Sequence, residues 1–277
     1  SDSVVSAWTV TQLHIINQNG YSTYNENPAD VIQFARVGKK YVAVVLGNDS
    51  SPSLIIKDMQ GTTVDSETTA YQDMIILDLG FFDNGEYFWT TSLDIYGTVP
   101  NTIMHTFRVN MSNSGEISLG EALTYAIVYA GSKLNVISTQ QLRLYDYRGT
   151  QDTSGAVLVY GWQLADSQVS GSNAMLLFAL AQSGGAEGIN QLRLLSGKTD
   201  KRFTLPSSCV GAALYNKRVY AFSGDTIYRA DVSAQRFTAI SLPGALASRQ
   251  VTGYLGMLSG GVALLSCDSD VYAVTLP

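Results

Sequence analysis

Cysteine and histidine are nearly absent from this 277-residue chain: Cys209, Cys267, His14 and His105 are all it has. Two cysteines exclude a disulfide-framed scaffold and a cysteine-rich zinc centre. Both lie in apolar, strand-like contexts, "CVGAAL" and "VALLSC". They read as buried free thiols, with one Cys209–Cys267 disulfide as the alternative. The histidines sit in "QLHII" and "IMHTF", as sheet residues rather than bases. No HExxH helix, phosphate-binding P-loop, dinucleotide fingerprint or serine elbow occurs, which removes the commoner zinc, nucleotide and nucleophilic chemistries.

Charge is also scarce. Charged residues make up 14 % of the chain and apolar residues 45 %, against roughly 25 % charged in ordinary soluble domains. A large buried core is expected. The net charge of −6 supplies none of the attraction that nucleic acid or anionic lipid needs. The longest apolar run, "AMLLFALA", has eight residues, where a spanning helix needs about 20. Neither nucleic acid nor direct membrane insertion is therefore expected.

The opening "SDSVVSAW" has neither an initiator Met nor a charged-then-apolar leader, and it reads as a processed or excised piece of a larger chain. Low charge, abundant Ser, Thr, Gly and Tyr, and the sequons at Asn48 and Asn110 point to a secreted or cell-surface protein.

What is present is a rhythm. Period-two alternation occurs throughout, and helical spacing is almost missing. Six apolar strands, "KYVAVVLG", "EYFWTTS", "KLNVIS", "AMLLFALA", "RVYAFSG" and "GVALLSC", recur at a spacing of about 44 residues. Each follows one strand and precedes another. A fourth strand after a polar turn completes the unit, although the one expected within 148–154 has poor β-propensity.

Four strands in about 44 residues define a propeller blade. The expectation is an all-β chain and a single β-propeller domain over 1–277, with six blades near 30–70, 71–122, 123–155, 156–206, 207–244 and 245–277. An orphan N-terminal strand, within 7–17, would complete the last blade and close the ring, protecting two exposed edges. Five blades, or two β-sandwich domains, are the alternatives.

Residues 218–243 carry a further pattern: Tyr220 in the second strand, Ser223-Gly224 after it, Tyr228 and Asp231 in the third, and Phe237 in the fourth, before "SLP". This stretch resembles a kelch repeat, with half of the glycine doublet lost and Phe in place of the usual Trp. The resemblance covers about 30 residues. It implies a propeller, and it ranks binding above catalysis.

In such a fold the loops between second and third strands share one face with the entries to the first strands. Here those loops are 47–53, 91–101, 138–141, 182–190, 223–225 and 268–270. They place Asp49, Asp94, Tyr96, Asn101, Glu187, Asp225 and Asp268 on the expected binding face. Asp49, Asp225, Asp268 and Asp270 would make an oxygen-rich ring suited to Ca²⁺, although tight turns demand the same residue types. No other cofactor is expected. Tyrosine is plentiful, 16 residues in all beside Trp8, Trp89 and Trp162. Tyr96, at the tip of the longest loop, is the aromatic best placed to anchor a ligand.

The favoured function is noncatalytic recognition of a protein or carbohydrate ligand through these loops. A hydrolase or lyase acting on carbohydrate with two carboxylates is the catalytic alternative. A structural module of a larger extracellular, viral or cytoskeletal assembly is the third.

Overall fold

The structure is a computed structural model that describes residues 4–17, 20–25, 31–47, 52–68, 71, 73–82, 85–94, 99, 101–110, 113–120, 123–181, 188–234, 236–244 and 246–277. Among them no helix forms, so none is long and apolar enough to cross a membrane. The chain divides into two compact units, residues 1–138 with 143–156 and residues 139–142 with 157–277.

In the first unit β1 (Val4–Trp8), β2 (Gln12–Asn17) and β3 (Gly20–Asn25) make a three-stranded sheet. Next come two four-stranded sheets, β4 (Ile32–Val37), β5 (Tyr41–Leu46), β6 (Ser53–Asp58) and β7 (Thr63–Glu67), then β8 (Met74–Phe81), β9 (Tyr87–Asp94), β10 (Asn101–Arg108) and β11 (Asn113–Gly120). The division between the units falls within the fourth sheet, β12 (Thr124–Ala130), β13 (Lys133–Ser138), β14 (Gln141–Asp146) and β15 (Gln151–Leu158).

The second unit continues with β16 (Trp162–Ser170), β17 (Asn173–Leu180), β18 (Ile189–Ser196) and β19 (Thr199–Cys209), then β20 (Gly211–Tyr215), β21 (Arg218–Phe222), β22 (Thr226–Asp231) and β23 (Thr238–Ser241). It ends with a three-stranded sheet, β24 (Gly253–Leu258), β25 (Val262–Cys267) and β26 (Asp270–Thr275). Every sheet is antiparallel and ordered as the chain runs.

Within each unit consecutive sheets pack face to face. Ala43, Val45 and Ile56 meet Ile76, Leu79 and Phe88 in the first unit, and Leu177, Leu192 and Leu194 meet Ala212, Leu214 and Val219 in the second. Second strands of the inner sheets are therefore covered on both faces, with Val42 to Leu46 all buried, as are Leu176 to Phe178, whereas β2 and β25 of the three-stranded sheets alternate. Double burial explains why the inner ones read as unbroken apolar runs instead of alternating.

The third-to-fourth turns repeat a local device. Asp58 Oδ1 accepts the backbone N–H groups of Gln60 (2.9 Å) and Thr62 (2.8 Å); Asp146 Oδ1 does the same for Arg148 (2.9 Å) and Thr150 (2.9 Å). Between them Gly61 and Gly149 take φ of +83° and +78°, a left-handed backbone that glycine adopts without steric cost. The shared pattern is Asp-x-x-Gly-Thr.

Two expectations are corrected. Among the described residues the N-terminal segment pairs with no strand of the last sheet. It breaks at residues 9–11, where the Thr9 N–H donates to the Gln12 carbonyl (2.8 Å) and the Gln12 N–H donates to Thr9 Oγ1 (3.1 Å). β1 then pairs with β2 from Val4↔Asn17 to Trp8↔Leu13. A hairpin closes a far shorter loop than a pairing with the other end of the chain, and so it costs less entropy. The described residues thus form seven sheets where six were expected, and β26 remains an edge.

The second correction concerns the fourth strand of the third blade. The stretch "GAVLVYGWQL", residues 155–164, is divided by a tight turn in which the Trp162 N–H donates to the Val159 carbonyl (2.9 Å). Its first half ends β15, so the strand expected within 148–154 runs from Gln151 to Leu158.

Candidate functional site

Five of the seven first strands share a defect, and β1 and β20 are regular. β4 is bulged between Ile32 and Phe34, β8 between Ile76 and Asp78, β12 between Thr124 and Ala126, β16 between Leu164 and Asp166, and β24 between Tyr254 and Gly256. A bulge inserts one residue against the partner strand and re-aims its side chain. In β8 and β12 the inserted residues are Leu77 and Tyr125, which are 39 % and 42 % exposed although their strands line a packed sheet.

These bulges frame a cavity of about 340 Å³ in the first unit, lined from β4 by Arg36, from β8 by Leu77 and Asp78, and from β12 and its entry by Leu123, Thr124 and Tyr125. Arg36 and Asp78 stand at its polar centre. The guanidinium meets Asp78 Oδ1 through one terminal nitrogen (3.0 Å) and through Nε (3.1 Å). Its other terminal nitrogen donates to the Ala35 carbonyl (3.2 Å), and the Phe34 ring lies 5.0 Å from the guanidinium carbon. Asp78 Oδ1 also accepts the Leu79 N–H (2.9 Å).

Both ionic side chains remain close to half exposed, so their pairing contributes little stability, about 0–1 kcal/mol. They are positioned charges that a ligand can engage. Around them Leu77, Leu123 and Tyr125 present apolar surface. Beneath, the Thr124 hydroxyl is buried without a hydrogen-bond partner, a state that costs about 1–3 kcal/mol until some group satisfies it. The cavity lining contains neither a histidine nor a cysteine. The cavity thus combines an apolar rim with one fixed cation–anion pair.

The second unit uses the same position otherwise. After the β16 bulge, Asp166 Oδ1 accepts the Ser167 N–H (2.7 Å) and Oδ2 accepts the Leu214 N–H of β20 (2.6 Å). Burial raises its carboxyl pKa above the ordinary value, with the two N–H groups opposing that shift. A folded pKa above the unfolded one means that the native state binds the proton more tightly. Its stabilising contribution is present below the ordinary carboxylate pKa and is lost as pH rises through the folded value. Asp166→Asn, which mimics the protonated acid, is expected to gain stability relative to the native protein as pH rises across that window. Urea midpoints collected from acidic to neutral pH check this, and a difference independent of pH would refute it.

Of the residues singled out from sequence, Asp94, Asn101, Asp225, Asp268 and Asp270 are among those described. Asp94 and Asn101 face each other as cross-strand partners at the ends of β9 and β10. Asp225 lies in the β21–β22 turn, where its Oδ1 is 3.0 Å from Ser223 Oγ. Asp268, at φ +53°, and Asp270 form the β25–β26 turn. Asp270 pairs with Arg249 (2.8 Å) and accepts from the Tyr272 hydroxyl (3.4 Å). Asp49, Tyr96 and Glu187 lie outside the described residues. Among the described residues no three His, Cys, Asp or Glu side chains gather as a metal site.

Both cysteines are buried and unpaired, and burial pushes the Cys209 thiol up to about 12, far from the reactive range. His105 is also buried, edge-on to Tyr71 with ring centroids 5.8 Å apart.

Sequence reasoning passed over Arg36, Leu77, Asp78, Leu123, Thr124 and Tyr125. The only signal was an alternation that slips by one residue, as in "MIILDL", where four apolar residues precede the aspartate.

The fold defined by these small consecutive antiparallel sheets is a β-propeller. A chain of a mitotic checkpoint complex is similar at 13 % identity, over 98 % of this chain and 84 % of that one, with a TM-score of 0.57. The Pan2 WD40 domain of Neurospora crassa is 10 % identical over 99 % and 90 % of the two chains, with a TM-score of 0.51. The β-propeller domain of the Trilobed protease from Pyrococcus furiosus, which has an open velcro topology, is 10 % identical over 98 % and 92 %, with a TM-score of 0.51. No family model matches the chain. No curated protein matches it either. The likeness is to propellers as a fold, and membership of the kelch family is a finer statement that it does not support.

Proposed function

We propose that the protein is a noncatalytic interaction propeller that holds an extended segment of a protein partner in the cavity of the first unit. The observation that carries this reading is the group Leu77, Leu123 and Tyr125, exposed around the Arg36–Asp78 pair. Apolar and aromatic anchors about a few fixed polar groups are the composition of a recognition pocket. Likeness to a WD40 domain and to a chain of a checkpoint complex favours a protein over a carbohydrate ligand.

Selection from a displayed random-peptide library tests the proposal. Selected peptides should bind Tyr125→Ala and Leu77→Ser at least about tenfold more weakly than the native protein, the loss expected of a buried anchor. Equal binding by variants that keep the native urea midpoint would overturn it.

A further inference from the structure

Charge is unevenly distributed along the chain. Residues 193–249 contain nine of the 17 Lys and Arg residues but only three of the 23 acids, Asp200, Asp225 and Asp231. That stretch carries +6, and the remainder, with eight cations against twenty acids, carries −12.

The fold gathers much of this excess at one end of the second unit. Lys198 lies in the β18–β19 turn, Lys217 in the β20–β21 turn and Arg236 in the β22–β23 turn. The Val232 N–H donates to the Lys217 carbonyl (3.1 Å), which ties the last two turns together. Lys201 Nζ donates to the Val232 carbonyl (3.3 Å) and to the Ala234 carbonyl, drawing β19 against the same turn. Arg218 begins β21 beside them.

The acids at this end are already engaged. Asp200 is held by Arg193 (2.7 Å) and Asp231 by Arg218 (3.2 Å). Lys198, Lys217 and Arg236 are exposed, and none of them makes an ion pair among the described residues. Three exposed cations, without an ion pair among the described residues, therefore stand on three turns of this unit, in a protein whose net charge is −6.

We propose that this end of the second unit is a docking surface for an acidic segment of a protein partner, a short run of Asp and Glu side chains. Charge complementarity selects that occupant. At physiological ionic strength fields decay over about 8 Å, so a short acidic peptide feels the local cations and little of the acidic remainder. A long nucleic acid would extend beyond the patch and meet the net negative charge, and it needs many more phosphate contacts for affinity. The surface is separate from the cavity of the first unit and does not depend on its assignment.

The probe is a fluorescent oligo-glutamate peptide, followed by anisotropy on the whole protein. Saturable binding is expected, weakening about tenfold or more between about 50 and about 200 mM salt. The triple variant Lys198→Glu, Lys217→Glu, Arg236→Glu should lose at least about tenfold in affinity, with an unchanged urea midpoint, whereas Tyr125→Ala should bind like the native protein. Since all three replaced residues are exposed turn residues, a second variant with glutamine at each position separates charge from folding and should lose affinity by an intermediate factor. Absence of binding at low salt, unchanged affinity in the triple variant, or tighter binding of a single-stranded oligonucleotide of equal charge would each overturn the proposal.

Discussion

Phe222→Ala should destabilise the second unit by about 3–5 kcal/mol, the range for removing a fully buried aromatic side chain. Phe222 is wholly inaccessible in β21, and its ring stacks on Tyr254 at 4.8 Å with the planes 16° apart. Ala213, Leu246, Leu265 and Cys267 belong to the same buried cluster, so truncation leaves a hole between two sheets. Collapse into the hole is hindered because the strands around it are held by ladder bonds on both sides. Tyr254 would lose the face that covers it, and its hydroxyl, pushed up to about 12 mainly by burial, should titrate at lower pH as water enters. Urea unfolding read by fluorescence measures the first effect. A midpoint shift with an unchanged slope is expected, and a loss below about 1 kcal/mol would show that the sheets close over the gap.

Asp200→Ala is the second large effect, and it exceeds what an exposed carboxylate would suggest. Arg193 is the buried partner, its side chain 7 % exposed against 47 % for Asp200. The aspartate grips the guanidinium at two points, Nε to Oδ1 (2.8 Å) and a terminal nitrogen to Oδ2 (2.7 Å). The remaining nitrogen donates to the Leu158 carbonyl (2.6 Å), and the Trp162 ring lies 6.0 Å away.

Removing the carboxylate strands a buried cation, for which the expected cost is about 3–5 kcal/mol. Arg193→Met removes the charge itself and should cost less, and the double variant should recover part of the loss, as a thermal-melt cycle over the four proteins would show. Additive losses would contradict this. The arginine's hydrogen bonds hold the Asp200 pKa below the ordinary value. Its contribution is present above the unfolded carboxylate pKa and is lost as pH falls through the folded one. Native stability should therefore drop in acid more steeply than that of the double variant.

The proposed cavity was hard to see in the sequence for a definite reason. Leu77 and Tyr125 lie in stretches that read as ordinary strands, and only a one-residue slip in pairing turns them outward. A bulge adds a residue without any required change of residue type, so composition and period carry little trace of it. The Asp-x-x-Gly-Thr turns at 58–62 and 146–150 are the opposite case. Their side chains enforce the geometry locally, and the two copies stand in plain view, 88 positions apart.

Strand type, the apolar second strands, the buried thiol contexts of Cys209 and Cys267 and the propeller class were all determined by the sequence alone, because apolar period and turn chemistry act over a few residues. Which edge a strand chooses, and which side chains from distant strands share a cavity, only the tertiary structure decided. The pattern of residues 7–16 names an apolar face without naming a partner. The hairpin with β2 prevailed because closing a short loop costs less than joining the ends of the chain. Arg36, Asp78 and Tyr125 are about 90 residues apart from first to last, and face-to-face packing of their sheets brings them to one cavity.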